Sequence, residues 1–215
     1  MPRRRKADPG STYHVVNRAT IGQLLFRDFG EYLFFLRLLA QVLDQLPVQL
    51  YAFCLMPNHW HLLVRAANEE ELARFMYELS KAHAMALRRW RGTVGKGAVY
   101  QGRYRASAIH NGSYFYRAVR YVERNPVRAG LAERVEDWPW SSAARIGEIQ
   151  GIVLADWPVD RPPNWREFVN EVEPTPELDF IRLRTQRREA FADPTADIED
   201  LAIRSRQAVA VPDEP

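Results

Sequence analysis

Cysteine is nearly absent: Cys54 is the only one among 215 residues. A single thiol excludes an internal disulfide framework and any cysteine-based zinc finger. Long apolar runs are missing as well. The most apolar stretch, Tyr32 to Leu43, contains Arg37 and is too short to span a bilayer. No apolar segment follows the charged start Met1-Pro-Arg-Arg-Arg-Lys6, so no secretory signal is expected. These absences make a soluble, cytoplasmic protein with no membrane partner the expectation. What is present suffices for a core: 47% hydrophobic and 12% aromatic residues exclude global disorder. The length fits one domain with an appendage, or two small domains.

The net charge of +3 hides an asymmetry, because residues 1–145 sum to +10 and residues 146–215 to −7. A basic body with an acidic tail points to a polyanion partner for the body. The arginine richness of a GC-rich genome would give a similar count, so charge alone does not decide.

Residues 1–10 read as a basic arm carrying Arg3, Arg4, Arg5 and Lys6. Thr12 to Arg18 has the composition of a strand. Glu31 to Leu46 is helical and ends before Pro47. Val48–Leu55 and His59–Arg65 are strands joined by the turn Met56-Pro57-Asn58, hence a hairpin. Glu69 to Arg91 is a long helix, acidic at its start and basic at its end. Tyr104 to His110 is a fourth strand. Ser113 to Arg124 is a helix with Ser113 as N-cap and Pro126 as its stop. The order is a split β-α-β-β-α-β pattern with one helix added, an α+β ferredoxin-like fold. An antiparallel sheet with its helices on one face is the expectation. The main domain is placed at 11–145. Residues 146–215 form an acidic, partly helical extension, with short helices at Pro163–Val172 and Glu177–Phe191 and loose order from Ala192 to Pro215.

His59-Trp60-His61 carries the sharpest chemical signal. Side chains alternate across a strand, so both imidazoles face one side and the indole the other. Two imidazoles at i and i+2 can converge on one metal ion, although two strand histidines are also ordinary core or polar-face residues. Tyr121 and Asn125 stand at i and i+4, which share a helix face. They also fit a buried tyrosine followed by an asparagine near a helix end. Taken together, the four side chains describe one machine. A cation held by two neutral histidines and an amide carbonyl keeps its charge and polarises a phosphate. A tyrosine hydroxyl aimed at that phosphorus is then the nucleophile, and a phosphotyrosine bond the product.

Leu55-Met-Pro-Asn-His-Trp-His-Leu-Leu-Val64 resembles the HUH signature of single-tyrosine transposases, with Trp60 as the hydrophobic residue between the histidines. Arg120-Tyr-Val-Glu-Arg-Asn-Pro-Val-Arg-Ala-Gly130 resembles that family's nucleophile helix. Tyr13 to Arg18, Tyr100 to Arg105 and Asp137 to Ser142 are similar to further family segments in the same order. The resemblance spans Ser11 to Ala144 and is nearest to the REP-associated tyrosine transposase branch. It implies His59 and His61 as metal ligands, Asn125 in the third ligand position and Tyr121 as nucleophile. It further implies Mg²⁺ or Mn²⁺, cleavage of single-stranded DNA beside a hairpin, and a 5′-phosphotyrosine with a free 3′-OH. A monomer or a homodimer is expected, since members of the wider family can place the histidines and the tyrosine of one site on different subunits. Relatives often carry a basic C-terminal tail; here Arg182, Arg184, Arg187 and Arg188 cluster within an acidic stretch.

Candidate DNA contacts are Arg3, Arg4, Arg5, Lys6, Arg18, Lys96, Arg103, Arg105, Arg117, Arg120, Arg124 and Arg128. Tyr100 and Tyr104 are candidates for stacking on bases. Tyr114 and Tyr116 read as packing or stacking residues, His14, His83 and His110 as structural or phosphate-contacting, and Cys54 as core. Two rivals stay open on sequence alone: a metal-dependent phosphodiesterase that uses water, and a hairpin-binding regulator that does not cut.

Overall fold

The computed structural model describes residues 10–109, 112–144 and 150–172, with isolated positions 179, 181 and 183. The basic arm at Arg3–Lys6, His110, the side chain of Ser113, most of the expected helix 177–191 with its arginine cluster, and the stretch from Ala192 lie outside the described residues.

Four strands form one antiparallel sheet in the order β2-β3-β1-β4. They are β1 (Thr12–Arg18), β2 (Gln49–Met56), β3 (His59–Arg65) and β4 (Arg105–Ile109). Helix α1 (Phe29–Gln45) links β1 to β2, and α2 (Glu69–Trp90) links β3 to β4. This is the expected ferredoxin-like arrangement. Both helices open with the same device. Asp28 and Asn68 cap the N-termini by accepting from the backbone N–H of Glu31 and Glu71. Each glutamate reaches back to a backbone N–H, of Arg27 and Ala67 respectively. Such reciprocal caps satisfy donors a helix end leaves open, so α1 starts at Phe29, two residues before the sequence expectation.

Side-chain alternation sorts the core into two layers. Tyr13, Val15, Trp60, Leu62 and Val64 pack on one face against Phe35, Leu36 and Leu39 of α1 and Phe75 and Leu79 of α2. The other face carries Ala52, Cys54 and Leu63 and is covered by Phe115, Ala118, Val119 and Val122. These belong to α3 (Gly112–Glu123). The helices are therefore not confined to one face, contrary to expectation. The hydrophobic run of β2, buried from Leu50 to Met56, is what a strand covered on both sides requires.

Helix α3 breaks at Arg124, and one further turn, α4 (Asn125–Arg128), follows with Pro126 near its start. Proline there has no N–H to give and its ring crowds the carbonyl four residues back. The sequence places the helix stop at Pro126; the structure interrupts α3 just before it and then continues for one further helical turn that includes the proline.

The segment after residue 130 closes the open edge of β2. Leu55 N–H donates to Trp140 O at 2.8 Å, Ser142 N–H to Phe53 O at 2.9 Å and Ala155 N–H to Leu50 O at 2.8 Å. An unpaired edge invites strand addition from another chain, and this covering removes it. Residues 150–172 pack on the body and cross the boundary expected at 145: Ile152 joins the α1/α2 layer, while Trp165 and Val169 of α5 (Trp165–Asn170) are buried against α3. Among the described residues no helix is long and apolar enough to cross a membrane.

Candidate functional site

His59 and His61 project from β3 toward the α3 side, and Trp60, fully buried, projects to the other. The alternation read from the sequence thus holds. Where β1 and β3 end beneath the junction of α3 and α4, a cavity of about 690 Å³ opens. His59, His61, Tyr121 and Asn125 all line it, so the structure brings together the four residues singled out from the sequence. The ring centroids of His59 and His61 lie 4.9 Å apart, and those of His61 and Tyr121 5.8 Å apart. Arg18, Arg103, Arg105 and Arg128 line the same cavity, and no carboxylate does among its lining residues. An arginine-walled cleft of this kind concentrates phosphate.

The imidazoles are held neutral and oriented. Burial, reinforced by the nearby Arg18 guanidinium, pushes the His59 pKa down to about 3. Burial pushes His61 well below the usual range, with His59, His14 and two arginines adding to the effect. His59 Nδ1 lies 2.6 Å from Asn58 Oδ1. That oxygen can only accept, so Nδ1 carries the proton and Nε2 a lone pair. His61 Nδ1 lies 2.8 Å from His14 Nε2, while His61 Nε2 is buried without a hydrogen-bond partner. An orphaned imidazole nitrogen beside a second neutral imidazole suits a divalent cation. Among the described residues no group of three or more His, Cys, Asp or Glu could hold an ion. The available donors are two imidazoles and an amide, a neutral set.

Tyr121 is 8% exposed. The Arg128 guanidinium sits 4.2 Å from its ring centroid and donates to its backbone carbonyl. Asn125 also donates to that carbonyl, from Nδ2 at 3.1 Å. With Nδ2 committed, Oδ1 is the Asn125 atom available to a cation.

The arginine candidates divide. Arg18, Arg103 and Arg105 are exposed at the cavity and Arg128 is half-buried there. Arg120 and Arg124, also candidates from the sequence, are buried and do not line the cavity. Arg120 is 5% exposed, stacks on Phe168 at 4.2 Å and donates to Glu171 O at 2.8 Å. Arg124 is 6% exposed and donates to Val169 O at 3.0 Å. Their charge is spent on carbonyls of the C-terminal segment, which the local sequence gives no way to foresee. Lys96 lies on a separate surface hollow, and Arg117 rests over the Tyr114 ring. The Tyr100 hydroxyl bonds Trp60 Nε1 and His83 Nδ1, so it ties the layer behind the site together and is not a free stacking platform. Tyr104 is half-buried against the same layer. Tyr114 is buried, and the Tyr116 hydroxyl donates to Asp160 O. His83 and Cys54 are core residues. His14, read as structural or phosphate-contacting, is buried and hydrogen-bonds His61. The available signal was alternation along β1: in a ferredoxin-like sheet β1 neighbours β3, and His14 shares the face of Val16, the partner of His61.

Comparisons with known proteins place the chain in a family. The protein is similar to two curated proteins. One is named as a REP-associated tyrosine transposase in Haemophilus influenzae, 27% identical over 126 residues, or 54% of this chain and 70% of that one. The other is a REP-associated tyrosine transposase of Escherichia coli K12, 26% identical over 117 residues, or 53% of this chain and 65% of that one. The fold matches a solved structure of a REP-associated tyrosine transposase bound to a REP hairpin. Its TM-score is 0.54 at 22% identity, covering 74% of this chain and 92% of that one. The family described as "Transposase IS200 like" matches residues 9–125, from the end of the N-terminal arm through β1, the histidine strand and the tyrosine helix to Asn125. With more than half of the chain matched and the cavity's four candidate residues all inside the match, this protein belongs to the IS200-like transposase family.

Proposed function

We propose that this chain cleaves and transfers single-stranded DNA beside hairpins, with Tyr121 as nucleophile and a divalent cation, Mg²⁺ or Mn²⁺, held by His59, His61 and Asn125. One observation carries the reading: a tyrosine and two neutral imidazoles meet in one arginine-lined cavity. When bound, the cation withdraws charge from a phosphate and stabilises what develops in the transition state. The Tyr121 oxygen attacks phosphorus and loses its proton. A P–O bond to tyrosine forms as the bond to the 3′ oxygen breaks. The 3′ oxygen takes up a proton and leaves as a free hydroxyl, and the 5′ phosphate stays on the enzyme. One P–O ester replaces another, so the strand can later be rejoined to a different 3′-OH with no external energy source. Arg18, Arg103, Arg105 and Arg128 hold the phosphates. One chain supplies every residue named, so a monomer suffices. The hairpin preference is supported by the relative solved with a REP hairpin.

The test is incubation with labelled single-stranded hairpin DNA and Mg²⁺ or Mn²⁺, followed by a denaturing gel. Wild type should give a protein–DNA adduct that Tyr121→Phe lacks. Cleavage without adduct in both would replace this reading with hydrolysis by water. Binding without cleavage in either metal would replace it with a hairpin-binding regulator.

A further inference from the structure

We propose that His14 is a positioning residue that fixes the tautomer of His61 and so makes its Nε2 a cation ligand. The inference rests on the metal reading above and adds a residue to it. His14 lies on β1 opposite Leu63, one alternation from the Val16–His61 pair, so both rings occupy the same face of the sheet. Their planes are within 7° of parallel, with His14 Nε2 and His61 Nδ1 2.8 Å apart.

A single proton lies between these two nitrogens. If it sits on His14, His61 Nδ1 accepts, and the ring's own proton must be on Nε2. That nitrogen is buried and meets no acceptor, an unfavourable state for a donor. It could not ligate a cation either. If the proton sits on His61 Nδ1, His14 Nε2 accepts it and His61 Nε2 carries a lone pair. Only this second arrangement gives the orphaned nitrogen a use. His59 shows the same logic: Asn58 Oδ1 accepts from Nδ1 and leaves Nε2 for the cavity. Each candidate ligand thus has its own orienting acceptor, an amide for one and an imidazole for the other. Acceptors that orient metal-bound histidines in this way commonly set affinity 10- to 100-fold.

Two measurements test the proposal. The first is Mn²⁺ binding to the full chain without DNA, followed by electron paramagnetic resonance of free Mn²⁺. His14→Phe, which fills the space but cannot accept, should weaken binding about 10- to 100-fold. His14→Gln, whose Oε1 can accept from Nδ1–H, should recover most of the loss. Wild-type affinity in His14→Phe would overturn the proposal, as would a His14→Gln as weak as His14→Phe. A wild type that does not bind Mn²⁺, with adduct formation equally insensitive to metal, would sink the metal reading itself and this proposal with it. The second measurement needs no variant. The ¹⁵N shifts of the His61 ring in the metal-free protein report which nitrogen is protonated. Protonation at Nδ1 is expected, and protonation at Nε2 would overturn the assignment even if the variants fail to fold.

Discussion

The C-terminal segment holds the helix that carries Tyr121, and its most informative contact is a hydrogen bond to a buried carboxylate. Trp165 is 3% exposed, and its Nε1–H donates to Glu123 Oε2 at 3.2 Å. Ser142 Oγ–H donates to the other oxygen at 3.0 Å. Glu123 lies two residues beyond Tyr121 on α3. Burial raises its pKa, and the two donors partly offset that rise. Trp165→Phe retains much of the aromatic packing against Trp157, whose ring centroid is 4.9 Å away, but deletes the N–H. A hydrogen bond to a charged group contributes about 1.5–3 kcal/mol and a neutral one about 1. Where Glu123 is ionised, the variant should lose about 2–3 kcal/mol. The pH dependence follows from the direction of the shift. A carboxyl whose folded-state pKa lies above its unfolded value favours folding in its protonated form, and that contribution is lost as pH rises through the folded pKa. Removing a donor raises the folded pKa further, so the variant recovers relative to wild type as pH falls. Once Glu123 is protonated the difference should shrink to about 1 kcal/mol. Urea denaturation followed by circular dichroism across a pH series measures it, and effects common to the two proteins cancel. A loss of the same size at every pH would show that packing alone is at stake. A loss below about 0.5 kcal/mol at the alkaline end of the series, the range of ordinary surface substitutions, would show that the bond does not stabilise the ionised carboxylate.

Other outcomes follow from the same geometry. Alanine at Arg18, Arg103 or Arg105 should lower the salt slope of single-stranded DNA binding by about 0.7 for each phosphate no longer neutralised. Arg120→Ala and Arg124→Ala should leave that slope unchanged while costing roughly 2 kcal/mol of stability, because each removes a charge-assisted bond; fluorescence anisotropy against salt, with urea melts, separates the two groups. His83, buried behind the site, has its pKa pushed down to about 3 by burial, with Arg91 adding. Its unfolded form binds more protons at any pH between that value and about 6.5, so stability falls as pH drops through this window, by about 1.4 kcal/mol per unit. Between pH 7.5 and pH 5, His83→Phe should therefore lose about 2 kcal/mol less than wild type in urea melts. An equal loss in both would mean His83 is not held neutral.

The element order was legible because strands and helices each carry a local period, and the divergence of His59 and His61 from Trp60 follows from alternation along β3. The apolar stripe of α3, with Phe115, Ala118, Val119 and Val122, announces that the helix is buried. It does not say against which face of the sheet, since one stripe fits either. The capping aspartate before Phe29 was readable in principle, from Asp28 and the glutamate three residues on. His14 needed the pairing of β1 with β3, a tertiary fact, before its face meant anything.

The arginines show the limit most sharply. Arg120 and Arg124 flank Tyr121 and have the composition expected of phosphate contacts, yet their partners are carbonyls at 171 and 169, some 45–51 residues downstream. Helical spacing does set them apart from Arg128, which stands seven residues beyond Tyr121 and shares its face, whereas Arg120 and Arg124 lie on other faces. What the spacing does not say is that the C-terminal segment covers those faces. That cover has a consequence for chemistry. A nucleophile must be held to within fractions of an ångström of its attack line, and Tyr121, proposed for that role, is carried on a helix fixed by apolar packing beneath and by two buried guanidinium–carbonyl bonds behind. Under the proposed mechanism the exposed arginines at the cavity meet the DNA, while the buried pair restrains the helix that carries the hydroxyl.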